Sequence, residues 1–379
     1  MDAATDGWIN YEDLIGEADV RLRDLAIGSL GHQTMRRWIE EANREFARMS
    51  NSVRDDYFTV LIADQAEYQL PEDSLKVDLV SVRYPGETYD WLLVPYTLQE
   101  AVEEGYDNQS GRPSRWYLTH DRRKIGFVFV PDAGGVKGLT TGLAGDALTI
   151  VDSALSTTDD AYNGLTVRIT SGAQEGQERT ISDYDAATTT ITVDSAFAAA
   201  IASGVHYEIH PDSLKIRYSK MGNSYKVQPT NAAVEAAPVP TRSTFGLNLP
   251  DRTPNYYKGC EVRFTSGALK GERTRIISDT STAAPIATVT VEPELFIEPT
   301  AADTCVVTDV PNIPGSFHHS LVDYVVFLAL DRAGNPQALT HLSRFREMAG
   351  QSMAADHPEQ GQVFHRVRES RWGDEGWEF

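Results

Sequence analysis

Two stretches in the middle of the chain are near copies of one another. Tyr162–Gly176 reads YNGLTVRITSGAQEG and Tyr257–Gly271 reads YKGCEVRFTSGALKG, with nine of fifteen positions identical. After a one-residue slip the likeness continues as RTISD at 179–183 and RIISD at 275–279, and a Thr/Val strand follows in each copy. Alternating strands joined by glycine turns are typical of all-β folds, and two copies are too few for a solenoid. The repeat therefore predicts two homologous β-barrels or sandwiches.

The segments that flank the first copy predict a small antiparallel sheet. Residues 55–130 contain strand-like runs separated by Pro, Gly and Asn-Gln-Ser-Gly, with a short helix predicted at Leu98–Gly105. IGFVFVP before the copy and LKIRYSKM after it, at Leu214–Met221, predict neighbouring strands of one sheet. We therefore interpret the copies as insertions into a discontinuous domain, the second one behind an Ala/Pro/Val-rich linker around Asn231–Pro240.

The N-terminal part predicts a pair of helices. The longer helix carries an apolar stripe on a 3.6-residue period, formed by Met35, Trp38, Ile39, Ala42, Phe46 and Met49. Thr34 is expected to cap its start. A shorter helix precedes it, with one face formed by Leu14, Ala18, Leu22 and Leu25, and its end is predicted at Gly28 and Gly31.

The C-terminal part predicts a second pair of helices. Phe317–Leu330 carries a single charge, Asp323, so this helix must be covered on most faces by its own domain or by neighbouring subunits. Gly334-Asn335-Pro336 predicts the joint, because Gly ends a helix, Asn caps the next and Pro opens it. The apolar stripe of the last helix is Leu339, Leu342, Phe345, Met348 and Ala349, and the periodicity is lost beyond Gly350.

The last residues combine aromatic and basic side chains. Val363–Phe379 contains Phe364, Trp372, Trp377 and Phe379 with Arg366, Arg368 and Arg371. One interpretation is a frayed terminus, which is the default for chain ends. We favour a docking segment, since Trp, Phe and Arg are the residues that dominate binding energy at interfaces.

Composition excludes several classes of protein. Lys+Arg is 34 and Asp+Glu is 55, so 34 − 55 gives a formal charge of −21, which argues against a protein that grips nucleic acid. The apolar fraction of 41% argues against a disordered acidic chain. The sequence predicts no membrane span and no signal peptide. Cys260 and Cys305 could face each other, but the first copy has Leu165 and Tyr207 there, so no bond is required.

Motifs for catalysis, cofactors or metals are not apparent. The sequence has no GxGxxG, P-loop, HExxH, CxxC or GxSxG motif. His318 and His319 point about 100° apart on a helix, so they and His341 are more readily structural than metal-binding. The DxD pair Asp183 and Asp185 is better explained as a turn than as a calcium site. We predict no enzyme, no cofactor and no metal.

A resemblance supplies the functional hypothesis. RRWIEEANREFARM, ADQAEYQLPEDSLKVDLVSVRY, GRPSRWYLTHDRRKIGFVFVP, LKIRYSKM and NIPGSFHHSLVDYVVFLAL occur in this order. Together they closely resemble the head-to-tail adaptor (connector) proteins of tailed bacteriophages. The resemblance covers residues from about 10 to 135, 212 to 222 and 311 to 350. The repeats are similar to small β domains that decorate phage tail and adaptor proteins.

The resemblance implies a structural virion protein at the head–tail junction, assembled in the host cytoplasm. The expected partners are the portal, tail proteins (a tail ring, nozzle or fibres) and further copies of the chain, in a ring commonly of twelve. DNA would pass through the channel without specific binding, because carboxylates repel phosphates. The acidic composition then argues against affinity for DNA, not against proximity to it.

These inferences define one expected architecture. The predicted class is α+β, in which a helical adaptor core with a small antiparallel sheet carries two inserted all-β domains. The predicted boundaries are 1–137, 212–230 and 311–351 for the core, 138–211 and 240–310 for the β domains, and 352–379 for the extended docking tail. The residues predicted to pack subunits in the ring are Phe317, Leu321, Tyr324, Val325 and Leu328, and those predicted to dock on the portal or a neighbouring subunit are Phe364, Arg366, Arg368, Arg371, Trp372, Trp377 and Phe379.

Two other functions are left open. A carbohydrate-binding or adhesion protein would act through exposed aromatic platforms on the repeats, for which the candidates are Tyr162, Tyr184, Tyr256 and Tyr257. An enzyme that uses paired carboxylates on cell wall or glycan would need a constellation that the sequence does not display.

Overall fold

The computed structural model describes residues 8–25, 27, 30–103, 105, 109–142, 146–251, 253–281 and 286–356. The chain divides into two compact units. Met1–Val53 with Lys220–Phe379 form what we call the helix-and-barrel unit, and Arg54–Ser219 form the two-sheet unit. The second repeat thus groups with the helices and the first with the sheet, whereas the sequence analysis groups helices and sheet together. The predicted boundaries remain a prediction.

The fold mixes helices with many strands, in agreement with the predicted α+β class. The helices are α1 (Tyr11–Asp24), α2 (His32–Ser50), α3 (Leu98–Glu103), α4 (His318–Arg332) and α5 (Ala338–Asp356). All except α3 belong to the helix-and-barrel unit, where they surround a common apolar core.

The structure confirms the apolar stripe of α2, but Leu25 and Leu339, predicted on the apolar faces of the first and last helices, are 37% and 70% exposed. Several helix ends also differ from the prediction. Met35, Trp38 and Phe46 of α2 are buried, as the 3.6-residue period predicts. The N-cap of α2 is Gly31, which makes no side-chain bond, so the expected cap at Thr34 is wrong. Leu25 follows the last residue of α1, and Gly28 lies outside the described residues. Helix α5 continues past Gly350 to Asp356.

The two-sheet unit contains the strands β1 to β15. They are β1 (Arg54–Thr59), β2 (Glu67–Gln69), β3 (Ser74–Val82), β4 (Trp91–Pro95), β5 (Ser110–Gly111), β6 (Arg115–Leu118), β7 (Lys124–Val128), β8 (Val130–Pro131), β9 (Val136–Leu139), β10 (Thr149–Val151), β11 (Thr166–Ile169), β12 (Glu178–Asp185), β13 (Thr190–Val193), β14 (His206–Ile209) and β15 (Leu214–Lys220). Seven strands form a sheet in the order β1-β15-β3-β4-β6-β7-β2, and six form a second sheet in the order β10-β13-β12-β11-β14-β9. The short strands β5 and β8 pair separately.

The seven-stranded sheet corrects two expectations. The strands β4 and β6 run parallel, so the sheet is mixed and not purely antiparallel. The strands predicted as neighbours, β7 and β15, share the sheet but are separated by β3, β4 and β6. Instead β15 pairs with β1 over its whole length, from Arg54 opposite Ser219 to Thr59 opposite Leu214.

The second repeat forms a closed barrel in the helix-and-barrel unit. Its strands are β16 (Thr230–Glu235), β17 (Thr244–Asn248), β18 (Glu261–Phe264), β19 (Arg273–Ser281), β20 (Ile286–Glu292) and β21 (Thr304–Thr308). They close in the order β16-β17-β20-β19-β18-β21. The first strand lies within the segment predicted as a linker, because Thr230–Glu235 pairs with the last strand.

The two repeats have the same strand order, which confirms their relationship at the level of topology. If β9 to β14 are matched one by one with β16 to β21, the strand order of the six-stranded sheet is the same as the cyclic order of the barrel. The predicted one-residue slip is wrong. Ile181 donates its backbone N–H to Leu165 O as Ile276 does to Cys260 O, and both copies have a β-bulge directly after this Ile. The register is therefore continuous through the bulge.

Candidate interaction surfaces

Helix α4 lies among the other helices of its unit. It contacts α1, α2 and α5, and its residues Leu321, Val322, Val325 and Leu330 are completely buried in the common core. The strongly apolar sequence is thus covered largely within a single chain. Of the predicted ring-packing residues, Leu321 and Val325 belong to this buried side.

One side of α4 remains half-buried. Phe317, Tyr324, Phe327 and Leu328 pack at the margin of the core and retain partial exposure. Tyr324 packs against Phe345 of α5 with the rings tilted and 4.8 Å between their centroids. This margin is apolar surface available to a neighbour, and its role in a ring remains a prediction. The seven predicted docking residues of the C-terminal segment lie outside the described residues.

A buried polar network joins the helices to the chain segments that enter and leave the barrel. Asn43 of α2 is fully buried, and its Nδ2 donates to the backbone oxygen of Asn223 at 3.0 Å and to the side-chain oxygen of Asn223 at 2.9 Å. Asn223 in turn accepts from the backbone N–H of Asn312 at 3.0 Å and donates to Val310 O at 3.0 Å. These bonds attach both segments to α2, while the Oδ1 atom of Asn43 is buried without a partner among the described residues.

Close packing on α2 reinforces this attachment. A Cβ atom on Gly222 would lie 2.5 Å from the backbone oxygen of Asn43, so only glycine fits there. Tyr11 stacks on Tyr225 with centroids 5.1 Å apart, and the guanidinium of Arg36 lies 4.4 Å from the centre of the Tyr225 ring.

Asp309 links the exit of the barrel to its entry. Its carboxylate accepts from the backbone N–H groups of Lys226 and Val227, the second at 2.8 Å, and its backbone oxygen accepts from the N–H of Tyr11 at 3.2 Å. Asn10, the N-cap of α1, donates to Glu261 of the barrel at 2.8 Å. The start of α1 is therefore hydrogen-bonded to the barrel.

The three histidines considered as metal ligands have separate partners. His318 is buried between Ile9 and Ile313, with Nε2 at 3.0 Å from Ile313 O, and burial lowers its pKa to about 4. His319 is exposed and contacts Glu17 at 2.9 Å, while His341 contacts Asp323 at 3.0 Å. Within the described parts of the chain no group of three His, Cys, Asp or Glu side chains could hold a metal ion.

Asp185 of the DxD pair holds a turn, and both cysteines are buried. Asp185 accepts from Ala187 N–H at 2.8 Å and from the Thr188 hydroxyl at 2.7 Å, and these bonds hold the pKa of its carboxyl below the usual range. Cys260 and Cys305 are buried free thiols. In the barrel Cys305 is opposite Phe264, so the two cysteines do not face each other.

The aromatic side chains proposed for carbohydrate binding are mostly interior. Tyr162, Tyr184 and Tyr257 are buried in the cores of the two β repeats, and Tyr256 is half-buried against its core. Tyr162 and Tyr184 pack edge to face within the first core, 4.9 Å between centroids. The adhesion hypothesis needs exposed tyrosines, and this expectation is wrong for three of the four candidates.

One exposed apolar surface, in the two-sheet unit, was not predicted from the sequence. Leu93 of β4 is buried, but Leu92 and Val94 on the opposite face are 63% and 59% exposed. Helix α3 covers another part of that face, where Ala101 packs with Tyr117 and Val128. The signal in the sequence is the continuous apolar run WLLVP, which lacks the alternation of a half-solvated strand.

Comparison with known proteins identifies the family. The family model of the SU10 adaptor protein matches residues 9–215, more than half of the chain, and the chain therefore belongs to the SU10 adaptor protein family. The matched region includes the first β repeat and ends before the second. No curated protein matches the chain.

Membership of this family defines the class of protein. The chain is a bacteriophage adaptor, a structural component of the virion, and such adaptors interact with portal and tail components in general. Proteins of this family are typically not enzymes. In the described residues, no helix is both long enough and apolar enough to cross a membrane.

Proposed function

We propose that copies of this chain form a ring, of twelve subunits, that joins the portal to the tail and continues the DNA channel. The family match over residues 9–215 carries the proposal, because it makes the chain a phage adaptor. The half-buried margin of α4, with Phe317, Tyr324 and Leu328, supplies apolar surface for contacts between subunits. The four helices and the seven-stranded sheet then form the adaptor core of each subunit.

The C-terminal segment anchors the ring. Val363–Phe379 combines four aromatic residues with three arginines, a composition suited to inserting along the portal or a neighbouring subunit. The two β repeats act as inserted domains that project toward tail fibres, a tail ring or the capsid. The charge of −21 suits a channel through which DNA slides without binding, at the head–tail junction of a particle assembled in the host cytoplasm.

Mixing the full-length protein with purified portal tests this function. We expect light scattering and negative-stain images to show a ring of twelve subunits bound to the portal. Deletion of Val363–Phe379 should weaken docking while leaving the helices folded. A protein that stays monomeric and elutes apart from the portal would contradict the proposal.

A further inference from the structure

Two equivalent loops of the repeats have the same burial pattern. The loop after β13 contains residues 197–201, FAAAI, and the loop after β20 contains residues 295–299, LFIEP. In each loop the first and last residues are buried and the three between them are exposed. The first residue of each loop also donates its backbone N–H to the segment before an equivalent strand. Phe197 donates to Ala147 O, before β10, at 2.8 Å, and Leu295 donates to Arg242 O, before β17, at 2.9 Å. The two loops are thus the same structural element.

The exposed residues of the two loops differ sharply. The first repeat exposes Ala198, Ala199 and Ala200, whereas the barrel exposes Phe296, Ile297 and Glu298. Phe296 is 79% exposed, so its ring makes little contribution to the barrel core. Since the first repeat folds with alanine at this place, folding does not explain the large apolar side chains. Burying such a ring against a partner would be favourable, because it removes apolar surface from water.

A second exposed apolar residue lies on the adjoining segment. Leu295 donates its N–H to Arg242 O, which joins the loop to the segment before β17. That segment exposes Val239, which is 83% accessible. We call Val239, Phe296 and Ile297 the loop patch.

The surroundings of the loop patch are acidic. Residues 291–300 read VEPELFIEPT and contain Glu292, Glu294 and Glu298, all exposed, without a basic residue. Glu272 also lies there, accepting from the N–H of Phe296 at 2.7 Å. Arg242 donates to Leu295 O at 2.7 Å, and Arg275, opposite Glu292 in the barrel, donates to Gly259 O at 3.0 Å. An apolar surface with an acidic rim is complementary to a segment that carries arginines beside aromatic side chains.

This chain contains such a segment. Val363–Trp372, VFHRVRESRW, carries three arginines against one glutamate, with an aromatic residue near each end. We propose that the loop patch of the barrel binds Val363–Trp372. This deepens the docking role of the C-terminal segment by naming a receiving surface, and it rests on the proposed function only for the choice of segment.

A peptide titration tests the assignment on the full-length chain. Phe364, Arg366, Arg368, Arg371 and Trp372 are first replaced by Ser in the protein, so that its own segment does not compete. A fluorescent peptide of residues 361–374 is then added, and its anisotropy is followed. We expect saturable binding that weakens as salt is raised, because the contact is partly ionic.

Matched variants locate the binding surface. The double variant Phe296→Ala, Ile297→Ala copies the loop of the first repeat. It should lower the affinity for the peptide at least tenfold and leave the melting temperature of the protein unchanged. The reciprocal pair Ala198→Phe and Ala199→Ile should leave the affinity unchanged. A peptide that does not bind, or binds the Phe296→Ala, Ile297→Ala protein equally well, would overturn the inference. Ring formation and portal binding are scored separately, so a failure of the proposed function gives a different result.

Discussion

The Nδ1 atom of His318 accepts a hydrogen bond from the backbone N–H of Ile9 at 2.7 Å, across 309 residues of sequence. The other ring nitrogen, Nε2, donates to Ile313 O at 3.0 Å. Both bonds require the neutral imidazole, in which one nitrogen accepts and the other donates. A buried, neutral histidine therefore holds the segment before α1 against the start of α4.

This arrangement makes stability depend on pH. The pKa of His318 falls from 6.5 to about 4 on folding, so the unfolded chain binds the proton first as the pH decreases. The contribution is fully present above pH 6.5 and is lost as the pH falls toward 4, by about 3 kcal/mol in total. Urea denaturation at pH 7 and pH 5 measures the change in the free energy of unfolding.

The neighbouring histidine provides the control for this prediction. His318→Gln should reduce the pH dependence in this range, to which His210, whose pKa is also lowered by burial, contributes in the same direction. His319→Gln, at an exposed position, should retain the full pH dependence. Equal pH dependence in the two variants would show that His318 is not the responsible group.

The buried network around Asn43 predicts a large effect from a small substitution. Asn43→Ala removes the donor to Asn223 and leaves buried oxygens with fewer partners, at a cost of about 1–3 kcal/mol in the free energy of unfolding. Asn163→Ala, at an exposed asparagine of the two-sheet unit, should change the free energy of unfolding by less than about 0.5 kcal/mol. If both variants unfold at the same urea concentration, the network does not stabilise the junction.

The two thiols should be inert in the native protein. Burial raises the pKa of Cys305 to about 12, and burial together with Asp309 raises the pKa of Cys260 still more strongly. Because the thiolate is the reactive form, iodoacetamide should label neither cysteine until urea unfolds the chain. Mass spectrometry reads the result, with Ala198→Cys as an exposed positive control. Rapid labelling of Cys260 or Cys305 under native conditions would refute this expectation.

The half-buried margin of α4 can be tested for its role in the ring. Leu328→Glu places a charge on this margin and should reduce the fraction of assembled rings at least tenfold, because a charge buried between subunits is unfavourable. Leu339→Glu changes a 70% exposed leucine of α5 and should leave assembly intact. Native mass spectrometry counts the subunits, and circular dichroism checks that both variants are folded. Normal rings from Leu328→Glu would place the contact elsewhere.

Local patterns predicted the helices well and their ends poorly. The burial of Trp38, Ile39 and Phe46 was predictable from their spacing alone, because an amphipathic helix needs one apolar stripe. The start of α2 at His32, ahead of Thr34, depends on the chain path around Gly31, which composition does not encode. The joint at Gly334 was predictable because its positive φ of 67° suits glycine.

Long-range pairing was less accessible from the sequence. The pairing of Arg54–Thr59 with Leu214–Lys220 joins segments separated by most of the two-sheet unit, and strand periodicity does not specify a partner. The role of Asn43 was equally hidden, because its partners Asn223 and Asn312 are ordinary loop residues until the fold brings them together. The equivalence of Ala198 and Phe296 was also not accessible, because it depends on the matching backbone contacts of Phe197 and Leu295 in the folded repeats.

The contacts of Asp309 have a consequence for how this protein can change. Because the carboxylate of Asp309 accepts hydrogen bonds from Lys226 and Val227, the segments that enter and leave the barrel meet at one point. A short turn could bridge that point, so the barrel can be exchanged for another module without rerouting the helices.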